Sequence, residues 1–112
     1  MTIAGRTYYK EIPIVSATQS EPFSVAGELT AIVVSTASAN VTLRLQVYCN
    51  TNSTWLNTGL THDVSGSAPT YITPETFAQY ASGLAGHADV LRWSCSAPAT
   101  FTIEMYSNIM RS

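Results

Sequence analysis

The chain has 112 residues, of which 46% are hydrophobic and only 11% are charged, and its formal net charge is −2. This length suits one domain with a hydrophobic core, and the five Lys and Arg residues form no basic run, which argues against nucleic-acid binding as a main activity. Such low charge gives little electrostatic repulsion between molecules, so the composition favours a subunit of an assembly over a free enzyme.

No segment is apolar over the length that crosses a bilayer, and the first residues, MTIAGRTYYK, lack the apolar core of a signal peptide. We therefore expect a protein that is made and folded in a cytoplasm, carries no export signal and does not enter a membrane.

The first segment with strand character is Thr7–Ser16, TYYKEIPIVS. Pro13 has no amide hydrogen to donate, so we expect this strand to lie at a sheet edge or to carry a bulge. Tyr8 and Tyr9 must face opposite sides of a strand, so one of the two rings is expected to be exposed or used in a contact, although both are also ordinary strand formers. Phe23–Ala26 follows as a short predicted strand.

The strongest strand signal is NVTLRLQVYC, residues 40–49. Hydrophobic side chains alternate there with polar ones, as in a strand with one buried face. Asn50–Ser53 is typical of a turn, and Trp55 lies where a returning strand begins. Leu56–Leu60 is expected to complete this hairpin. The preceding segment, Glu28–Thr36, is continuously apolar at its centre and predicts a strand that is covered on both faces.

A loop rich in Ser, Gly and Pro is predicted for Thr61–Pro69, and a brief strand for Thr70–Ile72. The pattern then changes to that of a helix, with Thr73 as N-cap and Pro74 at the first helical position. We expect this short helix to lie over an open end of the fold. Its apolar stripe and the two glycines that end it are Phe77, Tyr80, Ala81, Leu84, Gly83 and Gly86.

Two strands joined by a tight turn are predicted at the end of the chain. The first is Ala88–Ser96, in which Trp93 falls on the core side together with Cys95, and the turn is Ala97–Ala99. The last strand alternates apolar and polar residues from Phe101 onwards.

These elements predict an all-β fold, a jelly-roll-like antiparallel β-sandwich of about seven or eight strands with one short helix. We expect residues 1–20 to form an N-terminal arm and edge strand, and residues 21–112 to form a single β-sandwich domain.

The two cysteines, Cys49 and Cys95, fall on the apolar sides of their strands. One interpretation is that both are small buried residues in a reducing compartment. The other is a disulfide between neighbouring or facing strands, which requires a Cα separation below about 7 Å.

The only histidines lie in two acidic contexts, His62-Asp63 and His87-Ala88-Asp89. These would form a metal or acid–base cluster if their loops met, but loop polarity is the better explanation. The sequence contains no third ligand and no nucleophile motif, so we expect no metal, no cofactor and no enzymatic activity.

The aromatic residues are the better candidates for a binding surface, because sugars and protein partners both pack on aromatic rings. Tyr48 and Tyr106 fall on the outward sides of their strands and favour an interface. Trp55 follows a turn and fits either the core or a surface.

Two stretches, LTAIVVSTASANVTLRLQVYCNTNSTWLNTG and VLRWSCSAPATFTIEMYSN, resemble small β-sandwich structural proteins of tailed bacteriophages. The resemblance lies in an alternating strand that ends in a polar turn directly before a Trp, and in a later strand with an apolar-Arg-aromatic centre that is followed by a Thr/Phe-rich strand.

The resemblance implies a non-enzymatic virion component that is made in the host bacterial cytoplasm. Such a protein is a capsid decoration (cement) protein that bridges subunits of the major capsid protein, or a tail or neck subunit, and it is present in many copies or as a homo-oligomer. We expect the docking arm to include Arg6, Tyr8, Tyr9 and Lys10. The alternative function is a carbohydrate-binding, receptor-recognising domain that uses exposed aromatic residues such as Tyr48, Trp55 and Tyr106.

Overall fold

The computed structural model describes residues 7–24, 28–81 and 91–108. It confirms an all-β fold with one short helix, and every strand pair is antiparallel. The elements are β1 (Thr7–Gln19), β2 (Glu28–Val34), β3 (Val41–Cys49), β4 (Thr54–Val64), β5 (Thr70–Ile72), α1 (Pro74–Ala81) and β6 (Leu91–Asn108).

The long strand β6 is the centre of the sheet. Along one edge it pairs with β1, from Thr7 opposite Asn108 to Gln19 opposite Ser94. Along its other edge, β2 pairs with the second half of β6 and β3 pairs with the first half. β4 and β5 then add to the outer edges of β3 and β2. Across the sheet the order is therefore β1, then β6, then β2 and β3 along the two halves of β6, and finally β5 and β4.

The strands that pair with the first half of β6 and those that pair with its second half form two parts of one sheet. The inner faces of these two parts enclose one core in a nearly closed, barrel-like arrangement. The described residues form six strands in one sheet, fewer than the seven or eight expected. The difference arises because β6 passes without a break from one half of the fold to the other, and because Phe23 forms only an isolated bridge.

The tight turn predicted at Ala97–Ala99 is therefore wrong, since these residues lie inside β6. Pro98 lies where the pairing between β1 and β6 is irregular. Ala17 is opposite Ala99 and Gln19 is opposite Ser94, so β6 has extra residues in this stretch that have no partner in β1. Proline is tolerated at such bulges because no ladder hydrogen bond is required of it. This irregular stretch lies between the two halves of the sheet.

The loop predicted for Thr61–Pro69 is also too long, because β4 continues to Val64. Leu60 and Val64 are buried in the core, and this burial extends the strand past the polar residues between them. Phe23 forms a single bridge to Leu91, and the rest of the short strand predicted after it lies mostly outside the described residues.

The edge position and the bulge predicted for β1 are both confirmed. Among the described residues β1 pairs with β6 alone, and its register shifts twice after Ile14. Ser16, at the first shift, has a φ of 49°. Ile12 and Ile14 nevertheless enter the core, so the second half of the expected arm is also part of the packed sheet.

Trp93 lies at the centre of the core with no exposed surface, as its position in the sequence predicts. Its indole ring stacks on Phe23 at 6.1 Å between centroids. Phe77 of α1 covers it from another side at 6.0 Å. The helix begins as predicted, with the Thr76 amide donating to Thr73 Oγ1 at 3.1 Å, while the predicted end of the helix lies outside the described residues.

Candidate functional site

The outward side of the three strands β4, β3 and the first half of β6 is the best-defined candidate surface. Because side chains alternate along each strand, the register places outward residues in four rows across the strands. We call this surface the outer face. It consists of Tyr48 and Trp55, then Gln46, Asn57 and Arg92, then Arg44, Thr61 and Ser94, and finally Thr42, Asp63 and Ser96. Ser96 joins the last row because its Oγ accepts a hydrogen bond of 3.0 Å from the Thr42 amide.

Aromatic packing forms one end of the outer face. Tyr48 and Trp55 are directly opposite each other on β3 and β4, and their rings meet edge to face at 5.2 Å. The guanidinium carbon of Arg92 lies 4.4 Å from the centroid of the Trp55 ring, within the range of a cation–π interaction. Both rings are half-buried, so each keeps some surface exposed to solvent.

A chain of side-chain hydrogen bonds crosses the next row. Arg92 Nε donates to Gln46 Oε1 at 2.7 Å, and Gln46 Nε2 donates to Asn57 Oδ1 at 3.0 Å. Burial lowers the pKa of the Arg92 guanidinium. The arginine is therefore held in a defined position by a ring on one side and an amide on the other.

The opposite end of the outer face opens into a shallow depression of about 460 Å³. Thr42, Asp63 and Ser96 of the last row line it together with Asn40. Asn40 Oδ1 accepts a hydrogen bond of 2.7 Å from the Gly66 amide, which fixes the loop at its rim. The depression and the aromatic pair thus belong to one continuous polar surface.

Of the aromatic residues predicted as contacts, the structure brings Tyr48 and Trp55 together and places Tyr106 elsewhere. Tyr106 lies on the second half of β6, opposite Tyr9. Its hydroxyl donates to Glu104 Oε1 at 3.3 Å. Partial burial and then the negative charges of Glu104 and Glu11 raise the pKa of the Tyr106 hydroxyl.

The predicted docking arm is described in part. Arg6 lies outside the described residues. Tyr8, Tyr9 and Lys10 lie in β1, where the register places Lys10 opposite Met105. These positions are on the half of the sheet that does not contain the outer face.

The residues that lie in the row next to the aromatic pair, Arg92, Gln46 and Asn57, are not among the contact residues predicted from the sequence. Arg92 and Gln46 are polar residues at outward-facing positions of their strands, and this pattern could have predicted them as surface residues. Their convergence depends on the pairing of β6 with β3, which brings positions 46 and 92 together from distant parts of the chain.

The cysteines are free thiols in this structure. Cys95 is opposite Leu43, which is six residues from Cys49 along β3, a distance of about 20 Å at the usual rise per residue. A disulfide needs Cα atoms within about 7 Å. Both residues are thus separate thiols, and burial raises the pKa of Cys95.

His62 bridges β4 and β5, with its Nε2 2.8 Å from Thr70 Oγ1. Burial lowers the pKa of His62, although the neighbouring Asp63 acts in the opposite direction. His87 and Asp89, the other half of the cluster considered from sequence, lie outside the described residues. Within the described ranges no group of three His, Cys, Asp or Glu residues is placed to hold a metal ion.

Among the described residues, no helix has the length and apolar character needed to span a membrane. Comparison of the chain with protein-family models, curated proteins and solved structures found no match in any of the three.

Proposed function

We propose that this chain is a non-enzymatic structural protein of a virion, a capsid decoration protein that stabilises a phage head by bridging capsid subunits. The low charge of the chain and its resemblance to small phage β-sandwich proteins support this proposal. The observation that carries it is the outer edge of β1, which offers backbone groups for pairing with a strand of a neighbouring subunit.

The direction of the backbone groups in β1 follows from the hydrogen bonds of β6. Thr102, the partner of Pro13, directs both its amide and its carbonyl towards Ser35, at 2.8 Å and 2.9 Å. The pair of Pro13 and Thr102 is thus not hydrogen-bonded, and the backbone of Pro13 faces away from β6. By alternation, the backbones of Thr7 and Tyr9 face outward as well.

Within the described part of the chain, no strand pairs with this outer edge. Pro13 and the register shifts after Ile14 make the second half of β1 a poor template for pairing, since proline and bulges block strand addition. The first half of β1 is regular, and an added strand there would gain main-chain hydrogen bonds. A rigid sheet also has little order to gain on binding, and many copies that each bridge two neighbours add avidity.

Binding of the purified protein to undecorated capsid shells tests the proposal. Cosedimentation at saturation and a rise in the melting temperature of the shells are expected. Tyr9→Pro removes one outward amide and should abolish decoration, whereas Tyr9→Ala keeps that amide and should bind if strand addition is the anchor. Circular dichroism confirms that each variant is folded.

Absence of binding to shells by the wild-type protein would refute the decoration function. Binding to purified tails instead of shells would place the chain in the tail or neck. Light scattering of the free protein measures whether it is already an oligomer before it binds.

A further inference from the structure

The guanidinium of Arg92 has unused donors in a fixed orientation. Its Nε donates to Gln46, and its guanidinium carbon lies over the Trp55 ring. An arginine carries five N–H donors in a rigid fork, so the terminal nitrogens remain to bind a ligand. A fork of this kind matches the two oxygens of a carboxylate.

A second cation lies beside it. Arg44 is exposed and is opposite Ser94, whereas Arg92 is opposite Gln46. The two arginines are therefore diagonal neighbours on adjacent strands, within about 8 Å of each other at their bases. Within the described part of the chain, neither forms an ion pair. The outer face thus carries two arginines against the single carboxylate of Asp63, which leaves an excess of positive charge in a protein whose net charge is −2.

The remaining side chains of the outer face are amides, hydroxyls, one carboxylate and two aromatic rings, and none is aliphatic. Its four rows extend over about 20 Å, as six residues of a strand do. Peptides bind by adding to a sheet edge, by placing apolar side chains in a groove, or through acidic motifs at arginine clusters. The outer face is neither an edge nor an apolar groove, and only its two arginines would suit an acidic peptide. The rest of the outer face, with its amides, hydroxyls and rings, suits the many hydroxyl groups of a sugar chain.

We propose that the outer face binds an acidic saccharide, with a sugar carboxylate held by Arg92 and Arg44 and neighbouring sugar rings packed on the exposed parts of Tyr48 and Trp55. The depression beside Asp63 and Ser96 takes the continuation of the chain through hydroxyl contacts. This site is separate from the β1 edge, so it does not depend on the decoration function.

Affinity electrophoresis of the purified protein tests the proposal, with polygalacturonate as the acidic probe and dextran as the neutral one. We expect retardation by polygalacturonate and none by dextran. Arg92→Gln and Arg44→Gln should each weaken binding at least about tenfold, since each removes a charge-assisted hydrogen bond. Lys10→Gln makes the same charge change on the other half of the sheet and should leave binding unchanged.

Arg92→Lys guards against a folding defect, because it keeps the charge but loses the planar fork; a clear loss of affinity in this folded variant supports bidentate binding. The proposal is overturned if polygalacturonate does not retard the wild type, if dextran retards it equally, or if Lys10→Gln weakens binding as much as Arg92→Gln. Tighter binding to poly-glutamate than to polygalacturonate would also overturn it, in favour of an acidic peptide ligand.

Discussion

Replacing Gly59 with alanine is expected to destabilise the fold by about 2 kcal/mol, because two features of this position exclude a side chain. Gly59 has a φ of 105°, a backbone conformation that residues with a Cβ rarely adopt. A Cβ there would lie 3.1 Å from Cε1 and 3.3 Å from Cδ1 of Tyr80. The glycine lies at the irregularity of β4 between the partners of Arg44 and Gln46, where α1 packs on the strand.

The magnitude follows from opposing contributions. Holding a residue with a Cβ in a sparsely populated conformation costs about 1–3 kcal/mol. Reduced freedom of the unfolded chain returns about 0.4–1 kcal/mol. The tight contact with Tyr80 adds a smaller cost, since the ring has to move by a few tenths of an ångström. For a chain of this size the net change corresponds to a fall of about 10 °C in melting temperature.

Urea unfolding followed by circular dichroism measures the effect. Gly66→Ala is the matched control, because a Cβ there would lie 3.3 Å from the backbone of Ala39 without a positive φ, and it should cost less than about 1 kcal/mol. In a Tyr80→Ala background most of the cost of Gly59→Ala should persist, because the backbone and not the ring is its main source. A Gly59→Ala protein within about 0.5 kcal/mol of wild type would refute the reasoning.

Three further outcomes are expected. Thr73→Ala should lower the free energy of unfolding by about 1 kcal/mol, because it removes the cap of the Thr76 amide, whereas Thr73→Ser should change it little; urea unfolding compares the two. The free energy of unfolding should fall as the pH drops below 6.5, the ordinary pKa of histidine. The pKa of His62 is lowered in the folded protein, so the unfolded chain binds a proton there first. A His62→Gln variant with the same pH dependence would contradict this. Thiol titration of the unfolded protein should count two free thiols, from Cys49 and Cys95, and reductant should not change the melting temperature.

Local patterns were sufficient for much of the fold. The alternation in residues 41–49 predicts β3 and its inward face, and the turn after it places the start of β4. The sequence Thr73-Pro74 predicts the beginning of α1. In each case the signal lies within a few neighbouring residues, where capping chemistry and side-chain alternation act.

Local patterns misled where a tertiary contact overrides them. Pro98 is typical of a turn, yet it lies in the bulged middle of β6, because both flanking segments are held by long partners on either side. The polar residues before Val64 are typical of a loop, yet pairing with β3 keeps them in β4.

The candidate site was predictable only in part. The outward parity of Tyr48 follows from the sequence, and so does the nearness of Trp55 across a short turn. Arg92 comes from a strand more than forty residues along the chain from β3, and only the pairing of β6 with β3 places its guanidinium on Trp55. No local pattern contains that information.

Within a regular strand such as β3, the sequence by itself determined which residues face the core and which face solvent, because alternation along a strand depends only on neighbouring side chains. The tertiary structure alone decided which strands are neighbours. Several antiparallel orders satisfy the same hydrophobic pattern. In the observed order Trp93 packs against Phe23 and Phe77, which come from distant parts of the chain. That choice aligned Arg92, Gln46 and Asn57 into one surface.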